Sequence, residues 1–182
     1  MMRLSVRRLA PPVLAGLVTS IVVAAIAVGA GPGNPGPPTP SGQAAGQLEI
    51  NGKTIPILSY SIGASNPFTP TAGGGGGAGK VSFSSLNMMK AVDASTAALL
   101  SATASGQHFP EATFTAQWGT AASAATITYK LQNVVVESLQ HSGGGGGAPT
   151  ESLSLAFTAV TWTYKDASGT TSGSWDLIAN TP

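Results

Sequence analysis

The sequence predicts a mainly β fold, a small barrel with one short α-helix packed alongside. Three observations carry this. Segment after segment between residues 47 and 178 alternates apolar and polar residues, in β-branched and aromatic types, as half-buried strands do. One stretch, residues 95–105, breaks that rhythm with an Ala/Leu-rich run. Three strands change apolar phase midway, as strands do when a bulge bends them around a closing sheet.

The strands follow in order. Residues 47–50 form a short one. Residues 55–64 form a longer one, with Leu58, Tyr60 and Ile62 on one face. Residues 81–90 start on Val81 and Phe83 and continue on Leu86 and Met88. Residues 112–118 alternate cleanly, with Ala112, Phe114, Ala116 and Trp118 against Thr113, Thr115 and Gln117. Residues 125–137 carry Ile127, Tyr129 and Leu131, then shift to Val134 and Val136. Residues 153–164 carry Leu153, Leu155 and Phe157, then shift to Val160, Trp162 and Tyr164. Residues 174–178 close the chain. The phase changes predict bulges or sharp bends near Ser85, Asn133 and Ala159.

The helix spans residues 95–105. Asp93 or Ser95 serves as its N-cap, and Gly106 ends it in the left-handed conformation. Leu99, Leu100, Ala102 and Thr103 make its apolar stripe. Three turns at most would not hold alone, so the helix must pack on the sheet.

Before the strands come two further segments. Arg3, Arg7 and Arg8 precede an apolar stretch over residues 13–30 that ends in Val28-Gly29-Ala30. This reads as a secretory signal over residues 1–30. The Arg7-Arg8 pair hints at the twin-arginine route, with a weak continuation. The alternative is an uncleaved, outward-facing anchor, since 18 residues is the lower edge of a bilayer span. Residues 31–46 are rich in Pro and Gly and uncharged, a flexible tether. The folded domain is expected over residues 47–182.

Charge is scarce. The chain holds 8 basic and 7 acidic residues, and charged types are 8% of it. Three of the basic residues lie in the signal, leaving five against seven and a net charge of −2. That is no footprint for nucleic acid. A charge-poor Ser/Thr/Gly surface suits adhesion or assembly with copies of itself. The chain has no cysteine, which removes disulfides, thiol catalysis and cysteine metal sites.

Chemical motifs fail on inspection. Gly74 to Lys80 imitate a phosphate loop, but Val81 stands where a hydroxyl should hold magnesium, and a strand follows where a helix is needed. The stretch reads as a flexible surface loop. A second glycine run, residues 143–147, reads as a linker-like hairpin tip, or as a loop that orders on a neighbouring subunit. His108 and His141 stand 33 residues apart and outside any ligand pair; His108 reads as a turn residue after the helix. There is no G-x-S-x-G, and Asn87 occupies the place of the serine in S-x-x-K before Lys90. Glu111, Glu137 and Glu151 sit singly at strand ends. Trp162, Tyr164 and Trp175 are either sheet core or a sugar-stacking face. No catalytic, metal or cofactor-binding residue is assigned, and no cofactor is expected.

Several of these pieces, in this order, resemble the type VI secretion tube proteins, the haemolysin-coregulated protein (Hcp) family. They are Gly79-Lys80-Val81 after a glycine-rich loop, Asp93-Ala94-Ser95-Thr96 with Leu99, Gly106-Gln107-His108-Phe109 with Ala112, and the run from Glu151 to Phe157. Ala97 stands where the family often has Pro, and the leader is an addition. The resemblance implies a β-barrel of two sheets with one helix alongside, and a structural, non-enzymatic role. It implies hexameric rings of identical subunits that stack into a tube, with secretion-machine components or small effector cargo as partners. With the signal, the expected product is a secreted structural protein that touches membrane only through an uncleaved N-terminus. The alternative is a secreted monomeric β-barrel module that binds a cell-surface protein or carbohydrate.

Overall fold

Strand β1 (Gly46–Ile50) turns back into β2 (Lys53–Ile57) through Asn51 and Gly52, both at positive φ (50° and 70°). Asn-Gly is the pair that this two-residue turn selects. The computed structural model describes residues 44–69, 77–78, 80–120, 123–145 and 147–182. The signal, nearly all of the tether and most of the first glycine run lie outside them.

After β3 (Ser59–Ser61) the chain runs out through β4 (Ala64–Ser65) and β5 (Phe68–Thr69) and returns through β6 (Gly77–Ala78) and β7 (Ser82–Phe83). β4 pairs with β7 and β5 with β6, so the glycine-rich stretch joins two strands. β8 (Leu86–Ala91), helix α1 (Thr96–Ser105), β9 (His108–Trp118), β10 (Ala125–Ser142), β11 (Thr150–Ala156), β12 (Ala159–Asp166) and β13 (Gly169–Asp176) follow. β1 takes in Gly46, which the sequence leaves in the tether.

The main sheet runs β2-β1-β9-β10-β11-β8-β3, with β12 on the first half of β10 and β13 beyond it. The mainly β architecture stands, with one helix among the described residues; closure into a barrel does not. The ladder ends at β2 and β3, separated in sequence by Leu58 alone, whose N–H donates to Met89 O at 2.7 Å. The sheet bends until the Tyr60 ring meets Phe114, centroids 4.5 Å apart.

All three predicted irregularities occur. The chain breaks between β7 and β8 at Ser84 and Ser85, and between β11 and β12 at Phe157 and Thr158. Asn133 takes φ 49° in the middle of β10. There β10 changes partner, pairing with β12 through Gln132 and with β11 from Val135. A fourth break, at Leu58, escaped the sequence reading. Ile55 and Ile57 are the buried residues of β2, and Leu58 is only half-buried. Both phases are apolar there, so alternation could not choose between them.

Register aligns the inner face into rungs. Ile55, Leu48, Phe114, Tyr129, Trp162 and Gly173 form one; Ile57, Gly46, Ala116, Ile127, Tyr164 and Thr171 form the next. Leu48 and Phe114 are fully buried, whereas Tyr129 and Trp162 are half-buried. The β12–β13 hairpin therefore carries the inner face out past the core. Leu99 and Ala102 of α1 enter the core, but Leu100, expected in the stripe, is 47% exposed. Gly106 ends the helix at φ 63°, as predicted, and the N–H of Gln107 donates to Ala102 O.

Candidate functional site

Most of the inner face is apolar, and one rung is not. His141 of β10 lies opposite Glu151 of β11, which lies opposite Lys90 of β8. Strand phase puts them there. Lys90 continues Leu86 and Met88 inward, and Glu151 begins the inward series of Leu153 and Leu155. Both charged side chains are fully buried.

Lys90 Nζ donates to Glu151 Oε1 in a short contact, to Asp93 Oδ1 at 3.1 Å and to Ala91 O at 2.9 Å, with Thr96 Oγ1 at 3.4 Å. Thr96 Oγ1 in turn donates to Glu151 Oε1 at 3.2 Å and accepts from Asp93 N at 3.1 Å. The other carboxylate oxygen, Glu151 Oε2, has no donor among the described residues except His141 Nε2, 2.9 Å away. That contact closes only when Nε2 carries the proton. His141 is 44% exposed and forms the solvent side of the rung.

Asp93 links the rung to the helix. Sequence left the N-cap open between Asp93 and Ser95. Ser95 holds the cap position in helical φ/ψ with no side-chain cap bond. Asp93 Oδ1 instead accepts from Ser95 N (2.7 Å) and Ser95 Oγ (2.6 Å). Burial pushes the Asp93 carboxyl up. The bonds from Ser95, with the Lys90 ammonium beside it, outweigh burial and hold it below its ordinary 3.8.

This arrangement ties sheet to helix. Lys90 Nζ is fully buried and enclosed by four oxygens, two of them carboxylate, so it is taken up by the fold and presents no free face to a substrate. Among the described residues no group of three or more His, Asp or Glu could hold a metal. No described helix is long and apolar enough to cross a membrane.

The sequence reading missed this rung. It treated Lys90 only as a failed catalytic lysine and Glu151 as a strand-end acid. Opposite charges at inward positions of two strands were the available signal. His108, read as a turn residue, is the first residue of β9, opposite Val135. Tyr164, Trp162 and Trp175 do share one face, on three successive rungs of the β12–β13 hairpin. All three are half-buried, and Trp175 Nε1 is buried without an acceptor among the described residues. Tyr164 OH donates to Asp166 Oδ2 at 2.9 Å, which raises its phenol above the usual 10.0. Beside Tyr164 stands Trp118, centroids 6.2 Å apart and 49% exposed.

Comparison with known proteins follows the fold. The sequence profile described as "Type VI secretion system effector, Hcp" matches residues 43–164. Similar solved structures include Hcp1 from Salmonella typhimurium, at 25% identity and TM-score 0.62, covering 76% of this chain and 99% of that one. Another, described as a type six secretion system protein, has 28% identity and TM-score 0.66, covering 76% of this chain and 98% of its own. A type VI secretion system effector from Yersinia pestis shares the fold at 20% identity and TM-score 0.59, over 72% of this chain and 98% of that one. No curated protein matches the chain.

Proposed function

Because this chain belongs to the Hcp family of type VI secretion system effectors, we propose that it is a non-enzymatic structural subunit that assembles with copies of itself into six-membered rings. The observation that carries this reading is the family match across residues 43–164. Two features of the chain support it. Its most polar buried cluster is internally satisfied at Lys90 and binds helix to sheet. Its composition, 8% charged, leaves little same-sign repulsion between neighbouring subunits. Secretion-machine components, or small effectors held within the rings, are the partners this role takes.

The residues 1–30 leader would export the subunit, and residues 31–46 would tether the domain, placed over residues 47–182, to it. Size-exclusion chromatography with light scattering on the exported chain tests the assembly. The expected mass is six times that of the monomer; a strict monomer at high concentration sinks the ring reading. Intact-mass measurement of the exported chain tests the leader. A mature N-terminus just after Ala30 is expected, and a chain that still begins at Met1 or Met2 rules out cleavage.

A further inference from the structure

The inner face stays uncovered at one end, and the chain enters the sheet at that end. Ala45 N donates to Ile57 O at 2.7 Å, and Gly46 stands in the rung that continues through Ala116 and Ile127 to Tyr164. Three strand spacings separate Gly46 from Tyr164, about 14 Å. Trp118, one rung further out, is 49% exposed although it points to the same face as the buried Phe114. Trp118 and Tyr164 lie with ring centroids 6.2 Å apart and an interplanar angle of 37°. One rung further in, Trp162 and Tyr129 line an apolar cleft of about 260 Å³ with Phe83, whose ring centroid is 6.2 Å from that of Trp162. An aromatic-walled trough, its one nearby charge the Asp166 carboxylate held on the Tyr164 hydroxyl at 2.9 Å, thus begins where the described chain begins.

The segment just upstream has the matching chemistry. Pro35-Gly36-Pro37-Pro38-Thr39-Pro40 holds four prolines and no charge. Proline-rich segments dock into aromatic-lined grooves because they forfeit little conformational entropy and stack ring on ring. The reach is sufficient. Residues 41–44 span up to about 13 Å when extended, and six residues of polyproline helix cover about 19 Å. The segment also precedes the family match, which starts at residue 43, so its docking would be a property of this chain rather than of the fold.

We propose that residues 35–40 bind in cis as a strap across the Trp118–Tyr164 pair and the Trp162 cleft. The strap covers the apolar surface that the sheet leaves open.

The test uses the exported chain and a variant with Pro35, Pro37, Pro38 and Pro40 all changed to Ser, with circular dichroism to confirm that both fold. Acrylamide quenching of tryptophan fluorescence reads the accessibility of the indoles. The variant should be quenched about twofold more strongly, at every protein concentration. In a Trp118→Ser background the same four changes should raise quenching much less. Equal quenching of the two chains overturns the proposal. So does a difference that vanishes on dilution, which would put the segment on a neighbouring copy, and so does an unchanged difference in the Trp118→Ser background.

Discussion

Glu151 carries a charge where the sheet offers almost no water, and Lys90 sets the cost of removing it. Breaking a buried pair from one side leaves the other charge uncompensated, at about 3–5 kcal/mol. Glu151→Ala should destabilise the domain toward the lower end of that range, because Asp93 remains 3.1 Å from Lys90 Nζ. Urea unfolding would measure it. The double variant Lys90→Met, Glu151→Leu should recover most of the loss, since an apolar pair of similar volume restores the core. A double variant as unstable as the single one would mean that the rung contributes more than its charges. Asp93 adds a pH signature. Its folded carboxyl lies below its ordinary value of 3.8. It therefore stabilises the fold above the unfolded pKa, and that contribution is lost as pH falls through the folded one. Asp93→Asn should lower stability at pH 7 and flatten the acid limb below about pH 4; urea midpoints at pH 7 and pH 3 would test both. The inward phase of Lys90 was legible in the sequence. Its partner was not, because Glu151 lies 61 residues away and nothing local specifies which strands adjoin.

Elements were most legible where one phase was apolar and the other polar. The clean alternation of β9 is such a case; the end of α1 was legible on other grounds, from the left-handed conformation that Gly106 adopts. β2 and β3 were not, since Ile55, Ile57, Leu58, Tyr60 and Ile62 are apolar in both phases. The β12–β13 hairpin shows what a small residue does at element scale. A Cβ on Gly173 would approach the Trp162 ring to 2.7 Å, so the indole lies flat on this glycine. Gly173→Val should lift Trp162 off the sheet and shift its fluorescence to the red, while β9 and β10 keep their pairing. Emission spectra in a Trp118→Phe, Trp175→Phe background would isolate the one indole. An unshifted spectrum would mean that the hairpin backbone yields instead.

At the scale of the whole molecule, the fold class was legible from periodicity, and the open path of the sheet was not. Closure depends on whether the two ends of a ladder meet, and here they are two neighbouring pieces of one segment, parted at Leu58. The partner change of β10 at Asn133 has a kinetic consequence. One 18-residue strand must pair with β9, β11 and β12, so no half of the sheet is complete until all three have docked. The Lys90–Glu151 rung and the β1–β9 ladder add contacts between residues more than 60 apart. Chains dominated by such distant pairings fold in milliseconds to seconds rather than microseconds. Stopped-flow refolding should find that slow range, with β10 amides protected last; a microsecond phase that protects β10 first would contradict it. On the export by residues 1–30 proposed above, this delay would keep the polypeptide linear long enough to be threaded through a narrow channel before its longest strand commits.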